Sequence, residues 1–164
     1  MNNQISKAFI ALGSNLENPV SQIQLAFEEL KKIPGTHLVC HSSLYRTAPV
    51  GRRDQPDFIN AVALIETRLS PHDLLEALLT IERNHGRVRH SLNEPRTLDL
   101  DILLYDELQC RDKILTIPHP RMTQRAFVLK PLIEIAPDCQ IPGYGPIAPL
   151  LILCQQQQFE QITV

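Results

Sequence analysis

Apolar residues recur along this chain at two periods, and the two alternate in a regular order. Residues 7–12 (Lys-Ala-Phe-Ile-Ala-Leu) are a short apolar run that reads as a buried strand, closed by the turn cluster Gly13-Ser14-Asn15. Val20, Ile23, Phe27 and Leu30 then follow at spacings of three and four, which is one helical face. Asn18 reads as the N-cap of that helix, with Pro19 at its first position and Pro34-Gly35 as its stop. Residues 37–46 predict a second strand, with Leu38, Cys40, Ser42 and Leu44 on one face. Residues 58–67 predict a third, on which Phe58, Asn60, Val62 and Leu64 share a face.

Ser70-Pro71-His72-Asp73 has the form of a helix start, with an N-cap, proline at the first position and an acid in the first turn. Leu74, Leu75, Leu78 and Ile81 mark the buried face of this helix, and Gly86 is its expected C′ residue. The last core strand lies within Pro95-Arg96-Thr97-Leu98-Asp99-Leu100-Asp101-Ile102-Leu103-Leu104-Tyr105, where Leu98, Leu100 and Ile102 alternate with Asp99 and Asp101. The order is β-α-β-β-α-β, the ferredoxin-like arrangement. It predicts an α+β fold: an antiparallel sheet with helices on one face, extended by extra C-terminal helices or a hairpin.

Beyond Tyr105 the pattern is weaker. Thr116-Ile117-Pro118-His119-Pro120-Arg121 is a rigid, proline-bracketed segment. Residues 127–129 and 131–136 predict one or two short helices, with Pro131 barring a single straight one. Residues 142–146 (Pro-Gly-Tyr-Gly-Pro) read as loop, and residues 150–154 as a last helical turn or two. The glutamine run 155–158 is expected to be frayed and dispensable.

A length of 164 residues suits a single domain spanning 1–164, and 43% hydrophobic with 21% charged residues is ordinary for a folded globule. The formal net charge of −2 supplies no global field for nucleic acid or an anionic membrane, so phosphate recognition must come from clustered Arg and His. Cys40, Cys110, Cys139 and Cys154 are scattered without a C-x-x-C pair and read as buried small hydrophobes. The first residues lack a signal-peptide layout, and no apolar stretch approaches the ~18 residues of a membrane span. A cytoplasmic protein with small-molecule partners, binding neither nucleic acid nor membrane, is expected. Its oligomeric state is not written in the sequence; a monomer is the expectation and a dimer the alternative.

The chemistry gathers at the last core strand. Strand alternation sends Asp99 and Asp101 to the same face, with Cα atoms roughly 6.5 Å apart. Two like charges so close call for something positive between them. Mg²⁺ takes one or two carboxylates plus phosphate oxygens and water, and a pair of such ions suits in-line phosphoryl displacement. The plainer alternative is an exposed strand with two solvated acids. Arg87, Arg89 and Arg96 favour the metal, because this topology brings the preceding loop beside the strand and guanidinium groups fit phosphate bidentately. Arg52-Arg53, in the long connection 47–57, read as solvated charge. There is no Gly-x-x-x-x-Gly-Lys-Ser/Thr loop and no kinase His-Arg-Asp motif, which excludes P-loop and protein-kinase chemistry.

Five stretches together carry a family resemblance. They are Ala11-Leu12-Gly13-Ser14-Asn15-Leu16, Asp54-Gln55-Pro56-Asp57-Phe58-Ile59-Asn60-Ala61, Pro95 through Leu103, Ile117-Pro118-His119-Pro120, and Arg125-Ala126-Phe127-Val128-Leu129 with Glu134-Ile135-Ala136-Pro137-Asp138. In this order, over about residues 5–140, the chain resembles the 6-hydroxymethyl-7,8-dihydropterin pyrophosphokinases. The resemblance implies transfer of the β,γ-pyrophosphoryl unit of ATP to the hydroxymethyl group of the pterin, with release of AMP, in folate biosynthesis. Asp99 and Asp101 match the ligands of two Mg²⁺ ions in that family. Arg87 and Arg96 match phosphate-contacting catalytic arginines, with Arg89 a weaker match. Glu82, Ile102, Thr116, His119 and Arg125 match positions lining the ATP site. Phe58 and Phe127 match two aromatics that sandwich the pterin, Asn60 the amide that reads its pyrimidinone edge, and Thr47, Pro49, Val50 and Gly51 the backbone around it. Relatives often carry Gly before the Pro-Arg pair and an aromatic nearby, where this chain has Glu94 and Leu92-Asn93; the connection 86–96 is expected to close over the substrates.

Two rival readings make different demands. A ferredoxin-like module binding RNA would want exposed aromatics on its central strands and a basic balance, whereas here those places hold Asp99 and Asp101. Another metal-dependent nucleotide enzyme would keep the carboxylate pair but would not need Phe58, Asn60 and Phe127 around a second pocket.

Overall fold

The central strand, β1 (Ser6–Ser14), pairs antiparallel with β4 (Phe58–Thr67) along its whole length and with β5 (Asp99–Tyr105) on its other side. These strands belong to a computed structural model that describes residues 4–49, 54–86 and 97–163. Between β1 and β4 come α1 (Pro19–Leu30), β2 (Thr36–His41) and β3 (Leu44–Thr47), and α2 (Pro71–Asn84) precedes β5. The order across the sheet is β3-β4-β1-β5, all antiparallel, which is the expected ferredoxin-like arrangement. The C-terminal part adds the hairpin β6 (Cys110–Arg111)/β7 (Thr116–Ile117), helix α3 (Ala126–Ile135) and the hairpin β8 (Gln140–Ile141)/β9 (Gly145–Pro146). Helix α4 (Ile147–Leu153) and strand β10 (Glu160–Ile162) complete it.

Two hydrophobic layers cover the sheet. On one face Ala8, Ile10 and Leu12 of β1 and Leu100 and Ile102 of β5 pack against Ile23, Phe27 and Leu30 of α1 and Leu74 and Leu78 of α2. On the other, Val62, Leu103 and Leu104 meet Met122, Leu129, Leu132 and Ile147, so the extra C-terminal helices close the second face. Each fully buried Leu or Ile contributes roughly 1.5–3 kcal/mol. The alternation that separates Leu98, Leu100 and Ile102 from the two aspartates ends at a bulge. Ile10 faces Ile102 while Phe9 faces Leu104, so Leu103 is an extra residue and both leucines reach the C-terminal layer.

Several local expectations need correction. The strand foreseen over 37–46 is two strands, because Ser42 takes over the pairing: its amide donates to the Val62 carbonyl at 2.8 Å and its Oγ accepts from the Val62 amide at 2.9 Å. A serine side chain competing with the ladder breaks the strand without breaking the hydrophobic alternation. Asn18 stands at the N-cap place of α1 with φ 64 and makes no side-chain cap bond, whereas Ser70 Oγ accepts from the Asp73 amide at 3.2 Å as foreseen. Pro131 lies inside one helix, α3, where it deprives the Phe127 carbonyl of its donor while burying its ring beside Leu129 and Leu132. The stretch read as loop over 142–146 is mostly the turn of a hairpin, with Gly143 and Gly145 at φ 83 and 88. The glutamine run is not frayed: it leads into β10, which pairs with β3. Among the described residues no helix is long and apolar enough to cross a membrane.

Candidate active site

The site begins as an absence of side chains on the central strand. Gly13 lies between Asn60 of β4 and Asp99 of β5, and Ala11 lies between Val62 and Asp101. Directly paired residues share a face, so a strip of sheet floored by two small residues separates an amide from two carboxylates. A Cβ at Gly13 would stand 3.3 Å from Asn60 Oδ1. Above this floor lies a cleft of about 800 Å³. Thr47, Ala48, Pro49, Phe58 and Asn60 line one side, Asp99, Asp101 and Leu103 the other. The C-terminal part contributes His119, Arg121, Gln124, Arg125, Phe127, Gln157 and Gln158.

Each side chain has a visible reason for its place. Asn60 is buried and its Nδ2 donates to Thr47 Oγ1 at 2.9 Å, which fixes which end of the amide is taken. Asn15, also buried, donates from Nδ2 to Gln55 Oε1 at 2.8 Å and to the Pro56 carbonyl at 3.1 Å, tying the approach to Phe58 onto the end of β1. Ser14 Oγ donates to the Thr97 carbonyl, which secures the entry to β5. On the far side of that strand the buried carboxylate of Glu82 accepts the Leu100 amide at 2.7 Å, so α2 grips the backbone between the two aspartates. The guanidinium of Arg125 stands 5.6 Å from the centroid of the Phe127 ring, a cation–π contact.

His119 is fixed at both ends. Its amide donates to the Leu103 carbonyl at 2.9 Å, and its Nδ1 accepts from the Arg121 amide at 3.2 Å. Burial lowers its pKa to about 4, with Arg125 and Arg121 acting in the same direction and Asp99 opposing them. The imidazole is therefore neutral at pH 7, and since Nδ1 accepts, Nε2 carries the proton.

Of the residues expected at the site, the cleft unites Asp99, Asp101, His119, Arg125, Thr47, Pro49, Phe58, Asn60 and Phe127. Three lie outside its lining. Ile102 is 3% exposed and points into the α1/α2 layer, Glu82 is engaged with β5, and Thr116 sits opposite Arg111 in the small hairpin. Arg87, Arg89, Arg96, Val50 and Gly51, the arginines 52 and 53, and the foreseen closing connection with Leu92, Asn93 and Glu94 fall outside the described residues. Sequence reasoning passed over the floor position of Gly13 and the contributions of Arg121, Gln124, Gln157 and Gln158. Arg121 follows directly on the Pro-His-Pro segment and could have been found there; the glutamines carried no local signal.

Among the described residues no cluster of three or more His, Cys, Asp or Glu side chains could hold a metal ion. Two carboxylates on one strand face, open to a cleft, fit Mg²⁺, which keeps several waters and completes its shell with substrate oxygens. They do not fit a structural zinc centre, which wants four N or S ligands.

Residues 9–137 match the family of the 7,8-dihydro-6-hydroxymethylpterin-pyrophosphokinases (HPPK). The chain belongs to the HPPK family. It is 46% identical over 158 residues to the 2-amino-4-hydroxy-6-hydroxymethyldihydropteridine pyrophosphokinase of Pseudomonas aeruginosa, covering 96% of this chain and 98% of that one. It is 50% identical over 144 residues to the Haemophilus influenzae pyrophosphokinase, covering 88% and 90%. The fold is also that of Plasmodium falciparum HPPK-DHPS, with a TM-score of 0.75 at 16% identity over 93% of this chain; the match spans 45% of that longer chain. HPPK chemistry is ATP-dependent pyrophosphoryl transfer to hydroxymethyldihydropterin in folate synthesis, and this chain is a diphosphotransferase of that kind.

Proposed function

We propose that the cleft over Ala11 and Gly13 is where this HPPK joins its two substrates, with ATP on the Asp99/Asp101 side and 6-hydroxymethyl-7,8-dihydropterin on the Phe58/Asn60 side. The observation that carries this reading is the single 800 Å³ cleft in which both sets of residues meet. A flat heteroaromatic wants apolar faces and a few polar groups to orient it. Phe58 and Phe127 supply the faces, the Asn60 amide addresses the pyrimidinone edge, and Thr47, Ala48 and Pro49 complete the rim, with Val50 and Gly51 assigned from the motif alone.

Asp99 and Asp101 would hold Mg²⁺, which when bound neutralises the triphosphate. In the transfer, the hydroxymethyl oxygen releases its proton to solvent and bonds to the β-phosphorus as the bond from that phosphorus to the α–β bridging oxygen breaks, and AMP leaves with that oxygen. His119, neutral and protonated at Nε2, donates to a phosphate oxygen without adding charge, while Arg125 supplies a permanent positive charge nearby. Arg87 and Arg96, assigned from the motif, complete the phosphate contacts, and Glu82 supports the strand that presents the aspartates. The four free thiols suit a reducing compartment, the cytosol.

AMP release tests the reading. Purified protein is given Mg²⁺-ATP with and without 6-hydroxymethyl-7,8-dihydropterin. Pterin-dependent AMP with no ADP is the expected result. ADP would indicate an ordinary kinase on the same carboxylates, and folded protein without turnover would indicate a binding module.

A further inference from the structure

The C-terminal glutamine run, part of the cleft lining itself, also holds the neighbouring wall. Gln157 Oε1 accepts from the Ala126 amide at 2.9 Å, and its Nε2 donates to the Gln124 carbonyl at 2.7 Å. These two backbone groups flank Arg125. Ala126 is the first residue of α3, so its amide is one of the donors that a helix start leaves without an intrahelical acceptor. Arg125, at the N-cap position, makes no side-chain cap bond, and the acceptor comes instead from a carboxamide 31 positions further along the chain. One planar carboxamide bonding a donor and an acceptor of the same stretch fixes the orientation of that stretch as well as its location.

Gln157 is itself anchored on both sides. Its amide donates to the Cys154 carbonyl at 2.9 Å, and the buried Cys154 thiol approaches the Thr123 carbonyl at 3.7 Å. Beyond it, Phe159 packs into the C-terminal layer and edge-on against Tyr45, with ring centroids 5.9 Å apart, and β10 pairs with β3. The brace thus runs from the sheet, through the last strand, to the backbone that carries Arg125 and Phe127. Gln157 lies beyond the residues 9–137 that match the family.

We propose that Gln157 is a positioning residue for pyrophosphoryl transfer, holding the Gln124–Ala126 backbone so that the Arg125 guanidinium and the Phe127 ring meet the nucleotide and the pterin in register. It rests on the roles given above to Arg125 and Phe127. Misplacement by about 1 Å can cost on the order of 100-fold in rate, so a brace that acts through the backbone on either side of Arg125 bears on both substrates.

The test is steady-state AMP release by the full chain carrying Gln157→Ala, or Gln157→Met, which keeps the length and loses both hydrogen bonds. Each is made alone and with Arg125→Ala, and folding is followed by thermal melting. Gln157→Ala and Gln157→Met are expected to melt cooperatively, to raise KM for ATP by about tenfold and to lower kcat several-fold. In the Arg125→Ala background the same changes are expected to alter KM for ATP by less than about twofold, because the guanidinium they position is gone, while their effect on KM for the pterin, through Phe127, persists. Unchanged KM and kcat in both variants would overturn the proposal. So would effects on KM for ATP that simply multiply with those of Arg125→Ala, or loss of folding in both variants, which would leave Gln157 a purely structural part. An unaltered KM for ATP in Arg125→Ala alone would reject the role of Arg125, and wild-type protein without pterin-dependent AMP would reject the function; neither resembles the failure of Gln157.

Discussion

Gly13 matters for the atom it lacks. Its neighbour Asn60 cannot retreat easily, because the amide is buried and bonded to Thr47, so the 3.3 Å approach of an added Cβ must be absorbed by the amide proposed to read the pterin. Gly13→Ala is expected to raise KM for the pterin by about tenfold, worth ~1.4 kcal/mol, with a smaller change for ATP; separate titrations of the two substrates check it. Asp99→Ala and Asp101→Ala should each lower turnover at least 100-fold, or ~2.7 kcal/mol, and near wild-type rates in both would reduce them to solvated strand residues. The aspartates were legible because strand alternation alone sends them to one face. The floor of Gly13 was not, since a small residue in a turn cluster looks the same whether it ends a strand or makes room for a ligand.

At the scale of elements, α3 is fastened to β3 by one carboxylate. Glu134 accepts from the Ser43 amide and hydroxyl, each at 2.9 Å, and from the Tyr45 hydroxyl. Partial burial pushes the Glu134 pKa up, but these hydrogen bonds outweigh it and hold the group below the ordinary carboxylate range. Burial and the same carboxylate push the Tyr45 phenol up. A depressed carboxylate stabilises the fold above its unfolded pKa, and that contribution is lost as pH falls through the lower folded pKa. Glu134→Gln should therefore melt below the wild type at pH 7, and the gap should close as the pH is taken well into the acid range. At the other helix, Ser70→Ala should cost about 1 kcal/mol of stability by leaving the Asp73 amide uncapped, read from chemical denaturation. The start of α2 was legible because its cap is local, residue 70 to residue 73. The break between β2 and β3 was not, because Ser42 keeps the alternation while its hydroxyl bonds across to Val62.

Across the whole molecule, one sheet serves two layers, and only the first was written in the spacing of apolar residues. The α1/α2 layer repeats at helical periods next to strands that alternate, so the strand order could be read. The second layer comes from short hairpins, a helix with Pro131 inside it and a glutamine run, whose contacts span tens of residues and leave no period behind. Ending the chain after Leu153 should therefore do what a dispensable tail would not: lower the melting temperature by several degrees and abolish most AMP release, through loss of β10, Phe159 and Gln157 together. The bare floor of that cleft also bears on how the enzyme could escape an inhibitor. A compound laid against Ala11 and Gly13 contacts backbone and a methyl group, and a mutation that evicts it there must add bulk where the proposed pterin site also lies. Resistance would have to arise at the rim, where a drug can be trimmed to stay inside the outline of the substrate.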